Sequence, residues 1–109
     1  MKPAAHVPQD TLQLTPKQRR ALRARAHALK PVVTVGQAGL TPAVLREIDL
    51  SLAHHELIKV KLAGLDRTAR QRVTEEICRR TGSAWVQHIG RIAVLYRPGR
   101  PEHTDIGDS

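Results

Sequence analysis

Six basic residues crowd into the segment from residue 15 to residue 30, and no acidic residue lies among them. They are Lys17, Arg19, Arg20, Arg23, Arg25 and Lys30. At helical spacing, Arg19, Arg20 and Arg23 share one region of surface, because residues three and four apart are neighbours on a helix. Guanidinium groups suit bidentate contacts with phosphate. A solvated helix face normally mixes acids with bases, so this segment favours phosphate binding over that alternative.

A second candidate is the run Gly36-Gln37-Ala38-Gly39, which follows a predicted strand and precedes a predicted helix. Glycine allows close approach of a backbone, and the N-terminus of the following helix offers unpaired N–H groups to a phosphate. The same four-residue device clamps a nucleic-acid backbone in KH domains. An ordinary turn fits the pattern as well, and the uncharged loop centre weakens the phosphate interpretation.

The third candidate is a pair of lysines in an alternating strand, Ile58-Lys59-Val60-Lys61-Leu62. Because side chains alternate along a strand, Lys59 and Lys61 face the same side. They either add to a phosphate-binding surface or keep a half-exposed strand soluble.

Other reactive residue types indicate no catalysis. His54 and His55 would point about 100° apart on a helix, and no third metal ligand is placed by spacing, so a structural role is favoured. Cys78 lies beside an apolar helical stripe, where a buried, inert thiol is expected. The phosphate-binding P-loop and the common hydrolase motifs are absent from the sequence. We therefore expect no catalytic site, cofactor or metal.

The composition narrows the class of protein. The chain has 109 residues with a formal net charge of +8, which suits one domain with a polyanionic partner. Hydrophobic residues make up 40 %, which argues against disorder throughout, and no apolar run reaches the ~18–20 residues of a membrane span. The N-terminus lacks the apolar segment of a secretory signal, and a single cysteine fits a reducing cytosol. Trp85 and Tyr96 are too few for a base-stacking platform, so recognition should depend on backbone and shape.

The charge is uneven along the chain. Residues 15–100 carry 17 basic and 6 acidic groups, whereas residues 101–109 carry three acids and no base. Polar, aperiodic ends predict flexible tails at 1–13 and 99–109 around a domain at 14–98, with the last segment acidic.

Local signals predict seven elements in the order α-β-α-β-α-β-β. Thr15, Thr41 and Asp66 each begin a helix as its cap residue, and Gln18 completes a capping box in the first. Pro31 is expected to end the first helix. The predicted strands are Val32–Val35, Ile58–Leu62, Trp85–Ile89 and Ile92–Tyr96. The crossovers imply a parallel pair and the last hairpin an antiparallel one, so the fold class is α/β with a mixed sheet.

Five segments together resemble one family. They are Leu29–Val33, Val35–Thr41, His54–Lys61, Ile89–Arg91 and Val94–Pro98. In this order they resemble the CRM domain (chloroplast RNA splicing and ribosome maturation) in its bacterial single-domain form, the YhbY type. The resemblance covers about residues 14–98.

The resemblance implies a four-stranded mixed sheet flanked by three helices, similar to the C-terminal domain of translation initiation factor three. It also implies RNA binding and association with precursors of the large ribosomal subunit. In the family the G-x-x-G loop and the basic surface beside it are the proposed RNA site. Many relatives have a basic or polar residue inside the loop, where this chain has Gln37 and Ala38.

We therefore expect a non-catalytic, monomeric, cytoplasmic protein that binds ribosomal RNA and neither a membrane nor a small-molecule substrate. The candidate RNA contacts are Lys17, Arg19, Arg20, Arg23, Lys30, Gly36, Gln37, Ala38, Gly39, Lys59 and Lys61. The alternative is an assembly or structural factor that binds protein and whose basic surface is incidental. Attachment to anionic membrane through the first helix is disfavoured, because its apolar stripe of Leu22, Ala26 and Leu29 is expected in the core.

Overall fold

The computed structural model describes residues 13–99, and the order of its elements is the one that the sequence predicts. The elements are α1 (Pro16–Ala26), β1 (Pro31–Val35), α2 (Pro42–His55), β2 (Leu57–Leu62), α3 (Arg67–Thr81), β3 (Ala84–Ile89) and β4 (Ile92–Tyr96). Within this part of the chain, no helix is long and apolar enough to cross a membrane. Apart from Gln13 and Gly99, the predicted tails lie outside the described residues.

All three helices begin at the predicted caps. In α1 the Thr15 hydroxyl accepts the Gln18 N–H at 3.0 Å, and the Gln18 side chain accepts the Thr15 N–H at 2.9 Å. Thr41 and Asp66 each accept one first-turn N–H of α2 and α3, at 3.2 and 2.8 Å. These bonds satisfy helix N–H groups that otherwise lack an intrahelical partner.

The end of α1 differs from the prediction. The helix stops at Ala26, five residues before Pro31, which instead begins β1. Leu29 has left the helix but still packs in the cluster that holds Leu22. The Lys59 ammonium donates a hydrogen bond of 3.0 Å to the Leu29 carbonyl, so a tertiary contact fixes the connection. The apolar spacing therefore continues past the end of α1, because Leu29 packs in the same cluster as Leu22 although it is no longer helical.

The strands form one mixed sheet in the order β1-β2-β4-β3. β1 pairs with β2 in parallel, and the other two pairings are antiparallel. A two-residue turn at Gly90-Arg91 joins β3 to β4, and Gly90 has the positive φ, +57°, that a tight hairpin turn of this length requires. The register of β3 on β4 shifts between Trp85 and Gln87. β1 and β3 are the edges.

Helices cover both faces of the sheet, but unequally. The larger core lies between the sheet and the pair α2 and α3, and it includes Val35, Ile48, Leu52, Val60, Ile77 and Leu95. On the other face α1 packs alone, in a smaller cluster of Leu22, Ala26, Leu57, Val86 and Val94. A single helix of 11 residues leaves part of this second face open.

Candidate nucleic-acid interface

The two sides of the sheet differ in charge. Eight basic side chains belong to α1, the loop after it and the strand face beneath it: Lys17, Arg19, Arg20, Arg23, Arg25, Lys30, Lys59 and Lys61. Every acidic residue between positions 13 and 99 belongs to α2, α3 or their cap residues: Glu47, Asp49, Glu56, Asp66, Glu75 and Glu76. The α1 side is therefore positive without internal compensation, and we call it the basic side.

The ion pairs of the described residues follow the same division. Glu76 pairs with Arg79 and with Arg80 along α3, and Asp49 of α2 pairs with Arg97 at 2.7 Å. Three of the basic groups on the α2–α3 side are therefore paired with acids. The cations of the basic side form no ion pair with another described residue, so their field remains available to an external anion.

Arg19, predicted as a phosphate contact, turns inward. Its guanidinium donates to the carbonyls of Trp85 and Val86, at 2.6 and 3.0 Å, next to the bulge in β3. The side chain is half-buried and ties α1 to the edge of the sheet. Arg20 and Arg23, the other members of the predicted cluster, are exposed.

The two strand lysines share a face, as predicted, but they differ in environment. Lys59 is half-buried beneath the end of α1, where its ammonium holds the Leu29 carbonyl. Lys61 lies two residues further along β2, on the same face, and is exposed. Neither prediction for this pair, an RNA surface or simple solubility, includes the structural bond of Lys59.

A small cleft of about 70 Å³ separates α1 from the sheet. Arg23 and His27 line it from the helix side, and Lys59 and Gln87 line it from the sheet. Neither His27 nor Gln87 is among the residues predicted from the sequence. The spacing of His27, four residues after Arg23, could have indicated it, whereas Gln87 becomes a neighbour only through strand register.

Beyond the cleft, one row of side chains crosses the uncovered part of the sheet. Thr34, Lys61, Ile92 and Ile89 pair in this order from β1 to β3. Thr34 and Lys61 are exposed, and Ile89 is 50 % exposed. The row gives the basic side a flat, accessible floor beside α1.

The Gly36–Gly39 loop stands at the same end of the sheet as this row. The Ala63 N–H donates to the Val35 carbonyl at 2.8 Å, and the Leu62 N–H donates to the Arg91 carbonyl at 2.7 Å. These bonds place both the loop after β1 and the hairpin turn between β3 and β4 beside the last residues of β2. The structure thus brings the glycine loop close to Lys61.

The loop is a tight turn with open space above it. The Gly39 N–H donates to the Gly36 carbonyl at 2.9 Å, and Gly39 has a φ of +83°. A Cβ added at Gly36 or Gly39 would meet no atom within 4 Å. The Gln37 side chain packs over Gly64, where a Cβ would lie 3.0 Å from its Cγ. The side-chain amide is turned to the protein, while the loop backbone stays accessible.

The remaining reactive groups have structural roles. The His54 ring donates to the Leu50 carbonyl at 2.9 Å, and the Glu56 carboxylate accepts the Gly99 N–H at 3.0 Å. Residues 13–99 contain no cluster of three or more metal-ligating side chains. Cys78 is buried, and burial raises the pKa of its thiol to about 11, so it is protonated and unreactive at neutral pH.

The aromatic side chains provide no platform on the basic side. Trp85 is half-buried against the α2–α3 core, with its ring 5.5 Å from that of His88. Tyr96 is half-buried against the α1 cluster. Both rings are therefore packed against the protein.

Comparison with known proteins places the chain among relatives. The sequence model of the family described as the CRS1 / YhbY (CRM) domain matches residues 14–97 of this chain. An RNA-binding protein of Haemophilus influenzae is 54 % identical over 85 residues, which cover 78 % of this chain and 86 % of that protein. The probable RNA-binding protein YqeI of Bacillus subtilis is 36 % identical over 87 residues, covering 80 % and 91 %. The solution structure of the hypothetical protein SAV1595 from Staphylococcus aureus superposes with a TM-score of 0.72 at 34 % identity, covering 81 % and 92 %.

Proposed function

Since this chain belongs to the CRS1/YhbY (CRM) domain family, we propose that it is an RNA-binding protein without catalytic activity. The observation that carries the proposal is the division of charge across the sheet. Eight basic side chains lie on one side of the sheet, next to an accessible glycine loop, and none of the acidic residues between positions 13 and 99 lies among them. The names of the Haemophilus and Bacillus relatives agree with this function.

The mechanism follows from which groups remain available. Exposed cations would neutralise phosphates and release the counterions that surround RNA. They are Lys17, Arg20, Arg23, Arg25, Lys30 and Lys61. Arg19 and Lys59 act as positioning residues, because their bonds hold α1 and the following loop on the sheet. The loop at Gly36–Gly39 lets the RNA backbone approach closely, since no side chain projects from either glycine. The single ring on this side, Tyr96, is packed against the α1 cluster, so the surface suits structured RNA read through its backbone.

We place the RNA in the precursor of the large ribosomal subunit, and the protein in the cytoplasm as a monomer. The family resemblance supports the ribosomal ligand. The monomer is supported by the small number of large apolar side chains that are exposed between residues 13 and 99, namely Val32, Leu50 and Ile89. A buried, unpaired Cys78 suits a reducing compartment.

Crosslinking in cells, followed by sequencing of the bound RNA, tests the ligand. We expect recovery of large-subunit precursor RNA with the natural chain and its loss with the variant Arg20→Glu/Arg23→Glu. A diffuse mixture of transcripts would reduce the function to general RNA binding. Recovery of one protein partner that survives nuclease and high salt, without enriched RNA, would instead support the protein-binding alternative.

A further inference from the structure

A cavity of about 410 Å³ opens beside the basic side, where the loop after α1 meets the starts of β1 and β2. Its lining combines apolar and cationic groups. The apolar part includes Leu29, Val32 and Ile58, and Arg25, Lys30 and His55 lie around it. None of the carboxylates between residues 13 and 99 lines it. The volume falls within the ~300–1,000 Å³ that small-molecule sites occupy.

The wall formed by β1 also offers backbone hydrogen bonds. β1 is an edge strand, so alternate N–H and C=O groups along it face away from β2. Val32 is 45 % exposed at the start of this strand, next to the irregular pairing between Pro31 and Val33. An apolar surface beside the open backbone edge of a strand suits the flat face and the polar edge of a nucleobase.

We propose that this cavity binds one unpaired RNA base, with the adjoining phosphates held by Arg25 and Lys30. The inference rests on the proposed RNA-binding function and adds a second type of contact to it. Phosphate contacts on the basic side position the RNA, whereas a base in the cavity would select RNA that carries an extruded nucleotide.

Charge and continuity favour a base over other occupants. Arg25 belongs to α1 itself and Lys30 to the loop after it, so an RNA strand on the basic side reaches the cavity without leaving positive surface. A second copy of this chain would bring an equally basic edge against these cations. An extended peptide could pair with β1, but it would not need the cationic rim.

The test compares two RNA duplexes that differ in one base. Both contain a single bulged nucleotide, which is a uridine in one and an abasic residue in the other. We expect the natural chain to bind the uridine bulge about tenfold more tightly, the scale of one inserted or stacked base. Uridine monophosphate alone should shift the amide NMR signal of Val32.

Two variants change the cavity without changing charge. Val32→Ser removes apolar surface, and Ala28→Leu fills space from the cavity wall. Each should bring the affinity ratio of the two duplexes close to one while leaving affinity for the abasic duplex intact. The matched control is Leu50→Ser, an apolar side chain that is 53 % exposed on α2 and outside this cavity. It should keep the tenfold ratio.

The outcomes separate this inference from the function beneath it. Equal affinity of the natural chain for both duplexes would overturn the base site and leave RNA binding standing. A peptide at β1 would then be the better occupant of the cavity. A tenfold ratio that survives in both cavity variants would also overturn the base site, because the base would then bind elsewhere. Failure to bind either duplex would refute the proposed function itself.

Discussion

Reversing two exposed charges on α1 should weaken RNA binding sharply without unfolding the protein. The side chains of Arg20 and Arg23 make no hydrogen bond to another described residue, and both are exposed. Each replacement by Glu should therefore change the free energy of unfolding by only about 0.5 kcal/mol, as is usual at such surface sites. Arg19 is left unchanged, because its two bonds to β3 support the fold.

The size of the effect follows from counterion release. Each phosphate contact on a duplex contributes a slope of about −0.9 to the dependence of log affinity on log salt. Counted from 1 M salt, loss of two contacts then lowers the RNA affinity about 60-fold at 0.1 M salt and only about fourfold at 0.5 M. Repulsion by the new carboxylates brings the expected loss at 0.1 M to roughly 100-fold.

The assay is a salt titration of binding to a structured RNA, with a charge-matched control. The variant Arg46→Glu/Arg72→Glu changes net charge by the same amount on exposed residues of α2 and α3. It should bind almost as the natural chain does, whereas Arg20→Glu/Arg23→Glu should have a slope about 1.8 less steep. Equal losses in the two variants would mean that net charge alone governs binding, and the assignment to the basic side would be wrong.

Three further predictions concern groups that the structure gives distinct roles. Arg19→Ala should lower the free energy of unfolding in urea by about 2 kcal/mol, through loss of charged hydrogen bonds, while Arg20→Ala should be nearly neutral. Gly36→Ala should keep stability but weaken RNA binding, whereas Gly39→Ala should cost about 1 kcal/mol of stability because its φ is +83°. Cys78 should resist alkylation at pH 8 in the native protein and react on unfolding. Because burial raises its pKa from 9.0 to about 11, its contribution to stability should be complete below pH 9 and should decline between pH 9 and 11. Urea titrations of the natural chain and of Cys78→Ala would measure this decline.

The sequence predicts the elements well where the causes are local. A cap such as Thr15 or Asp66 satisfies N–H groups only three residues away, so its effect is legible in the sequence. The turn at Gly90-Arg91 and the alternation from Ile58 to Leu62 depend on equally short spacings. The fold class then follows from the order of elements, because crossovers fix parallel pairing.

The roles of individual basic residues are not local, and here prediction is incomplete. The partners of Arg19, Trp85 and Val86, lie 66 and 67 positions further along the chain, and the partner of Lys59, Leu29, lies 30 positions before it. Helical spacing places Arg19 beside Arg20 and Arg23 but cannot show which of the three turns inward. That choice depends on where the bulge in β3 exposes its carbonyls, which only the register of the hairpin determines.

The narrow apolar stripe of α1 explains why the basic side has two kinds of cation. Leu22 and Ala26 are the buried residues of the helix, too little apolar surface to hold it firmly by burial alone. Arg19 and Lys59 supply the missing attachment through hydrogen bonds to backbone carbonyls, at the edge strand and at the loop after α1. The same narrow helix leaves the row that includes Lys61 uncovered. A broader apolar stripe would stabilise α1 better but would cover the surface that RNA binding requires, so the weak core of this helix and its proposed function have one structural cause.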